Sequence, residues 1–176
     1  MAMLCDAAAF DSAGVAGIVT GVLTEEGTID QARCRQLLSM TGELQKVCHR
    51  CFDVVPDPFE ALETLIDLGF SRILTSGQRA HCIDGIGLIK RLIEKADGRI
   101  EILPGGGLTA AEIPRLITET GCDQVHLASF ESAQDRSTLG NPEIRYAGIS
   151  MAEEAHYGRI NSGEIQKIVR VASEID

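Results

Sequence analysis

Asp57-Pro58-Phe59-Glu60-Ala61-Leu62-Glu63-Thr64-Leu65-Ile66-Asp67-Leu68-Gly69-Phe70-Ser71-Arg72-Ile73-Leu74-Thr75-Ser76-Gly77 carries a complete helix followed by a complete strand. Asp57 is a capping residue, Pro58 suits the first turn, and Glu60 stands three residues after the cap. Phe59, Leu62, Leu65 and Ile66 fall on one helical face, and Gly69 supplies a left-handed stop. Ile73 and Leu74 then make a short apolar run that ends at Thr75-Ser76-Gly77. A helix that hands over to a strand within a few residues is the repeating element of a parallel α/β fold.

The same alternation extends in both directions. Further strands are predicted near Gly17 (Ile18, Val19), Lys46 (Val47), Arg99 (Ile100, Ile102) and Asp123 (Val125), at spacings of about 24 to 30 residues. Asp30 caps a helix through Leu37 and Leu38 to Gly42. Ile86, Ile89, Leu92 and Ile93 mark another that closes before Gly98. Thr109-Ala110-Ala111-Glu112 reads as a capping box ahead of Ile113, Leu116 and Ile117, with Gly121 as the stop. A last helix runs from about Ser162 through Ile165, Ile168, Val169 and Ala172. Between Glu131 and Gly163 no period persists, and Ser132, Asp135, Ser137, Gly140, Asn141 and Pro142 predict mostly loop. The whole reads as a single α/β domain over 1–176. On length alone, five βα units fit a flavodoxin-like sheet better than a barrel, which takes about 250 residues.

Composition narrows the partners. The 176 residues carry 26 acidic and 16 basic side chains, a net charge of −10, with five Phe and two Tyr as the only aromatics. That charge repels phosphate backbones, and base-stacking platforms are poorly supplied, so no nucleic acid is expected. No apolar run approaches the roughly 20 residues of a membrane span, so no membrane partner is expected. Residues 1–10 lack a basic segment and do not read as a signal peptide. Six cysteines without an export signal predict reduced thiols and a cytoplasmic location.

Several stretches together resemble the CutC copper-homeostasis family in order and spacing. They are Gly21-Val22-Leu23-Thr24-Glu25-Glu26-Gly27 with Ile29-Asp30, His49-Arg50 with Phe52-Asp53, Asp57-Pro58 through Ala61-Leu62-Glu63, and Leu68-Gly69-Phe70 with Arg72 to Gly77. Gly98-Arg99-Ile100, Pro104-Gly105-Gly106-Gly107 and His126 complete the set. The match runs from about 14 to 129. The resemblance implies an incomplete TIM (β/α) barrel of about five parallel βα units, corresponding to the fourth to eighth family strands. Counterparts of the first three strands, with their acidic, cysteine and arginine residues, are not found. A homo-oligomer that covers the unpaired edges is one expectation; a splice form or a gene-model fragment is another. Cys51 stands where the family usually has Ala, Val47-Cys48 replaces a Thr-Phe pair, and Ala128-Ser129-Phe130 replaces an ending with Arg.

Ligands of parallel βα folds meet the carboxyl ends of the strands. The segment Val47-Cys48-His49-Arg50-Cys51-Phe52-Asp53 brings thiolate and imidazole together, a soft set suited to copper(I). His49, Cys51 and Cys48 are therefore the candidate metal ligands. Strand alternation favours the His49/Cys51 pair and puts Cys48 on the opposite face, so a Cys48/Cys51 chelate needs a local turn. The competing reading makes both cysteines small buried hydrophobes and pairs His49 with Asp53. Gly105, Gly106, Gly107 and Thr109 form a candidate anion cradle ahead of a helix N-terminus, where a tight turn is the alternative. Arg50, Asp53, Thr75, Ser76 and His126 complete the expected strand-end pocket. His81 and His156 fall in loop-like sequence, and Cys5, Cys34 and Cys122 fit packing positions.

Three functions stay open on these residues. The first is copper homeostasis through bound copper(I) in the cytosol, which the family resemblance favours. The second is a TIM-type enzyme or binding protein for a small anionic or phosphorylated metabolite. The third is an inactive oligomerisation fragment. No catalytic residue is named by the sequence.

Overall fold

The computed structural model of the protein describes residues 2–141, 143–144 and 155–174. By its internal contacts the chain divides into two compact units: Met1–Leu108 with Glu112–Leu127, and Thr109–Ala111 with Ala128–Asp176.

The first unit contains α1 (Ala2–Ser12), β1 (Gly17–Thr20), α2 (Gln31–Leu38), β2 (Gln45–Cys48), α3 (Pro58–Asp67), β3 (Arg72–Thr75), α4 (Ile86–Ala96), β4 (Glu101–Pro104) and α5 (Ile113–Thr120). All four strands are parallel and pair in the order β1-β2-β3-β4. Each strand lies beside its sequence neighbour, which is the winding of a barrel wall. A flavodoxin-like sheet would place its first strand between the second and third. Chain length pointed to the wrong α/β class, and strand order corrects it. The fifth expected strand is reduced to one parallel bridge, Gly105 to His126.

Local signals explain most boundaries. Asp57 accepts from the N–H groups of Phe59 and Glu60 at 2.8 and 3.1 Å, and Asp30 accepts from that of Arg33 at 2.9 Å. The left-handed stops are Gly69 (φ 79°), Asp97 (φ 47°) and Gly121 (φ 72°). α5 departs from expectation: it begins at Ile113 with Glu112 at its cap position, not at Thr109. The Ala110 N–H instead donates to Glu164 inside the second unit, at 3.3 Å, and Pro114 occupies the first turn. α1 was not legible, since its alanine-rich sequence has no apolar face to mark a period.

The two faces of the sheet differ. Cys48, Ile73 and Ile102 share one face and are buried in the main core with Phe52, Leu62, Leu65, Ile89, Leu92 and Leu116. α3, α4 and α5 pack in sequence along this layer. Val19, Val47, Leu74 and Leu103 project to the other face, where Val19 is 64% exposed and the others are half-buried. α4 approaches the sheet through two glycines: a Cβ on Gly85 would run into the Ser76 carbonyl oxygen, and one on Gly77 into that of Gly85.

In the second unit, β5 (Phe130–Gln134) and β6 (His156–Ile160) pair antiparallel, and α6 (Ser162–Ser173) follows, capped by Asn161. The hairpin occupies sequence expected to be loop. Its strands are mostly exposed on both faces, so no apolar alternation announces them. Of the residues behind the loop expectation, Pro142 lies outside the described residues.

Gly85→Ala should lower stability by about 2 kcal/mol or more, because the added carbon meets backbone that cannot yield. Gly87→Ala, with open space around it, should raise stability by up to about 1 kcal/mol through the unfolded state. Urea unfolding of the two variants checks both signs.

Candidate functional site

β2 ends at Cys48, and the chain passes at once into a 3₁₀ turn, Arg50–Val54. His49 caps that turn: its Nδ1 accepts from the Cys51 N–H at 3.1 Å. The turn carries Cys51 back toward the strand end, so the Cys48 and Cys51 sulfurs lie 3.8 Å apart. Alternation along an extended strand does not produce this arrangement. It arises because the strand stops one residue before His49, and Cys48 and Cys51 become the facing pair.

Cys48 is completely buried and Cys51 half-buried. The hydrogen bond from Cys48 pulls the Cys51 thiol down to about 7, against burial and helped by His49. The same bond, with burial, pushes the Cys48 thiol up. Of the two, Cys51 is therefore the sulfur that ionises first. Gly21, on the segment after β1, makes room for that sulfur: a Cβ there would lie 2.5 Å from Cys51 Sγ and 3.2 Å from His49 Cε1.

Asp53, in the same turn, reaches the end of β3. It accepts from the Thr75 hydroxyl at 2.5 Å, the Ser76 N–H at 3.0 and 3.1 Å, and the Gln78 N–H at 3.2 Å. The Ser76 hydroxyl lies 3.0 Å from its second oxygen, and Arg50 Nε donates to that oxygen at 2.7 Å. Burial works against the ionised carboxyl, but the bonds from Thr75, Arg50 and Ser76 outweigh it and hold the group below the ordinary aspartate value of 3.8. The alternative His49–Asp53 pairing is absent among the described residues, because Asp53 faces β3.

Arg50 also donates through Nη2 to the Ser76 hydroxyl at 2.6 Å. Its Nη1 has no protein acceptor among the described residues and packs over Gly106, whose added Cβ would lie 2.9 Å away. Gly106 (φ 122°) and Gly107 (φ 70°) need a left-handed backbone. The Cys82 N–H donates to the Gly106 carbonyl at 2.8 Å. Gly105 is engaged by its bridge to His126 and by its own N–H on the Thr75 carbonyl, at 2.9 Å. Thr109 belongs to the second unit, and the helix N-terminus expected behind the glycines begins four residues later. The cradle therefore reduces to Gly106 and Gly107.

His126 is exposed. Cys34, Cys82 and Cys122 are buried, with burial pushing Cys82 up to about 12, whereas Cys5 is exposed and does not pack as expected. Among the described residues no three His, Cys, Asp or Glu side chains converge on a common point. No helix among them is long and apolar enough to cross a membrane. Sequence reasoning missed Gly21, whose neighbours are set by tertiary packing. It also missed Gln78 (φ 57°), which donates to Asp53 and, through Nε2, to the Val55 carbonyl at 2.7 Å.

The sequence profile of the CutC family matches residues 1–131, and so takes in α1 as well as the sheet. A family protein CutC of Treponema denticola is 43% identical over 168 residues, covering 96% of this chain and 68% of that protein. The human copper homeostasis protein cutC homolog is 46% identical over 141 residues, covering 80% of this chain and 52% of the relative. The chain thus spans between about half and two-thirds of these relatives. The crystal structure of CutC from Streptococcus agalactiae superposes with a TM-score of 0.67 at 38% identity, over 69% of this chain and 60% of that one.

Asp53→Asn should destabilise the protein by about 3 kcal/mol, since it removes the charge from a hydrogen-bonded ion pair with a buried carboxylate. The folded pKa of Asp53 is depressed, so its contribution is present above 3.8 and is lost as pH falls through the lower folded value. Unfolding free energy measured down the acid limb should fall less steeply in the variant than in the wild type.

Proposed function

The chain belongs to the CutC family, and on that premise we propose that it takes part in copper homeostasis by binding copper(I) between Cys48 and Cys51, in the cytosol. The observation that carries this reading is the 3.8 Å separation of the two sulfurs. With metal–sulfur bonds of about 2.3 Å, one ion reaches two sulfurs up to about 4.6 Å apart. Soft thiolates select copper(I) among the common cellular metals. Structural zinc takes four ligands, and the converging set here supplies two sulfurs. Copper(I), which is satisfied by two thiolates, is the better match.

The electrostatics support the same assignment. The Cys51 thiol is lowered to about 7, so its ionisation for metal uptake costs little near neutral pH, and the proton of Cys48 is the harder one to remove. His49 stands on the turn with Nδ1 committed to the backbone, which fixes its ring beside the sulfurs. Its part is to hold Cys51 in place. The human relative is named as a copper homeostasis protein, and that link extends by proposal to these two cysteines.

A second reading rests on Arg50. Its guanidinium is held by Asp53 and Ser76, while Nη1 beside Gly106 stays without an acceptor among the described residues. A small phosphate or carboxylate fits that donor and the neighbouring glycine amides.

An anaerobic copper(I) titration against a chromogenic chelator tests the first reading. One equivalent should bind, and Cys48→Ser and Cys51→Ser should each weaken it at least 100-fold. Unchanged affinity in either variant would retire the site. For the second reading, inorganic phosphate should raise the thermal midpoint of wild type and leave that of Arg50→Gln unmoved; an equal rise in both removes Arg50 from the site.

A further inference from the structure

The facing sulfurs of Cys48 and Cys51 also have the arrangement of a dithiol that closes on itself. We propose that the two cysteines form a reversible disulfide when exposed to a small-molecule disulfide oxidant, with Cys51 reacting first and Cys48 resolving. This chemistry uses the two thiols of the copper reading but does not depend on copper being their ligand.

The order of events follows from access. Cys48 has no exposed surface, so an oxidant in solution cannot reach it. Cys51 is half-buried and lies on the turn, in the space left by Gly21. Its sulfur attacks one sulfur of the oxidant; a Cys51–oxidant disulfide forms, and the other half of the oxidant leaves as a thiolate. Cys48 Sγ, already 3.8 Å away, attacks Cys51 Sγ, and its proton passes to the departing half of the oxidant. The second half of the oxidant then leaves. Counted from the dithiol form, the two cysteines lose two electrons and two protons, and the oxidant gains them as two thiols.

Bond formation needs the sulfurs to close from 3.8 Å to about 2.05 Å. Cys51 belongs to a single short turn, which is easier to shift than the paired strand that carries Cys48. No other cysteine pair among the described residues shows a sulfur–sulfur contact. Closing the pair ties up both sulfurs, so an oxidised site cannot take up a soft metal ion through them.

Reduced protein is equilibrated in native buffer with glutathione and its disulfide, quenched with acid, alkylated with N-ethylmaleimide and mapped by mass spectrometry. Alkylated cysteines should fall from six to four, with a disulfide on the peptide that holds Cys48 and Cys51. Cys48→Ser should accumulate a single glutathione adduct on Cys51, and Cys51→Ser should lose both products at this pair. Full alkylation of Cys48 and Cys51 under oxidising conditions would overturn the proposal, as would a disulfide joining Cys51 to Cys34. Wild-type mapping decides the matter even where a variant fails to fold. In parallel, copper(I) titration of oxidised and re-reduced protein separates the two readings. A mapped disulfide with no copper uptake in either state sustains the dithiol chemistry alone. Uptake by reduced protein that never closes sustains the metal site alone and overturns the disulfide.

Discussion

The Asp53 carboxylate ties the turn after β2 to the end of β3, and the strand-end geometry depends on that tie. Donors from Thr75, Ser76, Gln78 and Arg50 converge on its two oxygens. Charge-assisted bonds of this kind are roughly twice as strong as neutral ones. They fix two segments that the chain supplies 22 to 25 residues apart. Once Asp53 is held, Arg50 three residues earlier is aimed across Ser76 toward Gly106. Cys51, between them, has little choice but to turn back over Cys48. The Ser76 hydroxyl has one proton and two acceptors in reach, Asp53 and the Arg79 carbonyl. It accepts from Arg50 at the same time. One hydroxyl thus couples the arginine, the carboxylate and the following loop.

The sheet explains why these groups meet at all. Parallel strands wound in sequence order bring consecutive strand ends to one rim, so residues from four successive βα units become neighbours. Helices bury one face of the sheet through Ile73, Ile102 and Cys48. The other face carries Val19, Val47, Leu74 and Leu103, with the Arg72–Glu101 ion pair below them. In this chain that face is only partly covered, as Val19 shows. The family similarity and the strand order agree on a barrel wall, and the chain spans part of the length of its relatives.

Features that depend on short-range chemistry were legible in the sequence. Asp30, Asp57, Gly69 and Gly121 act where capping rules place them. Three of the five expected strands begin within one residue of the expected position. β4 starts two residues late, and the last is a single bridge. Features that depend on competition between segments were not legible. Thr109 has good capping chemistry, yet its neighbour Ala110 bonds to Glu164, 54 residues away. β5 and β6 pair across a long excursion and lack an apolar face. At the site, residue types identified the sulfur, imidazole and guanidinium groups. Their pairing departs from the period-two rule because a turn, which residue types alone do not announce, begins at the end of β2. A strand terminus is where such a rule fails, because the hydrogen-bond ladder that enforces it has stopped.

That failure also locates what is unusual in the site. A cysteine on a strand and a cysteine on the next turn are subject to different constraints. Cys48 is fixed by its ladder partners on both sides and by complete burial. Cys51 is held by one hydrogen bond to His49 and by the gap over Gly21. At 3.8 Å the sulfurs stand too far apart for a covalent bond and close enough for a shared ion or proton. The contact between them moves the two thiols in opposite directions in acidity, Cys51 down and Cys48 up. On the proposed reading a soft cation would take the place of the thiol proton with little movement of either side chain, whereas a disulfide would require Cys51 to travel. Of the two proposed changes, metal uptake would be the smaller and oxidation the one that remodels the turn. Because that turn also carries Arg50 and Asp53, remodelling it strains the bonds to β3, and the same network that sets up the dithiol resists its closure.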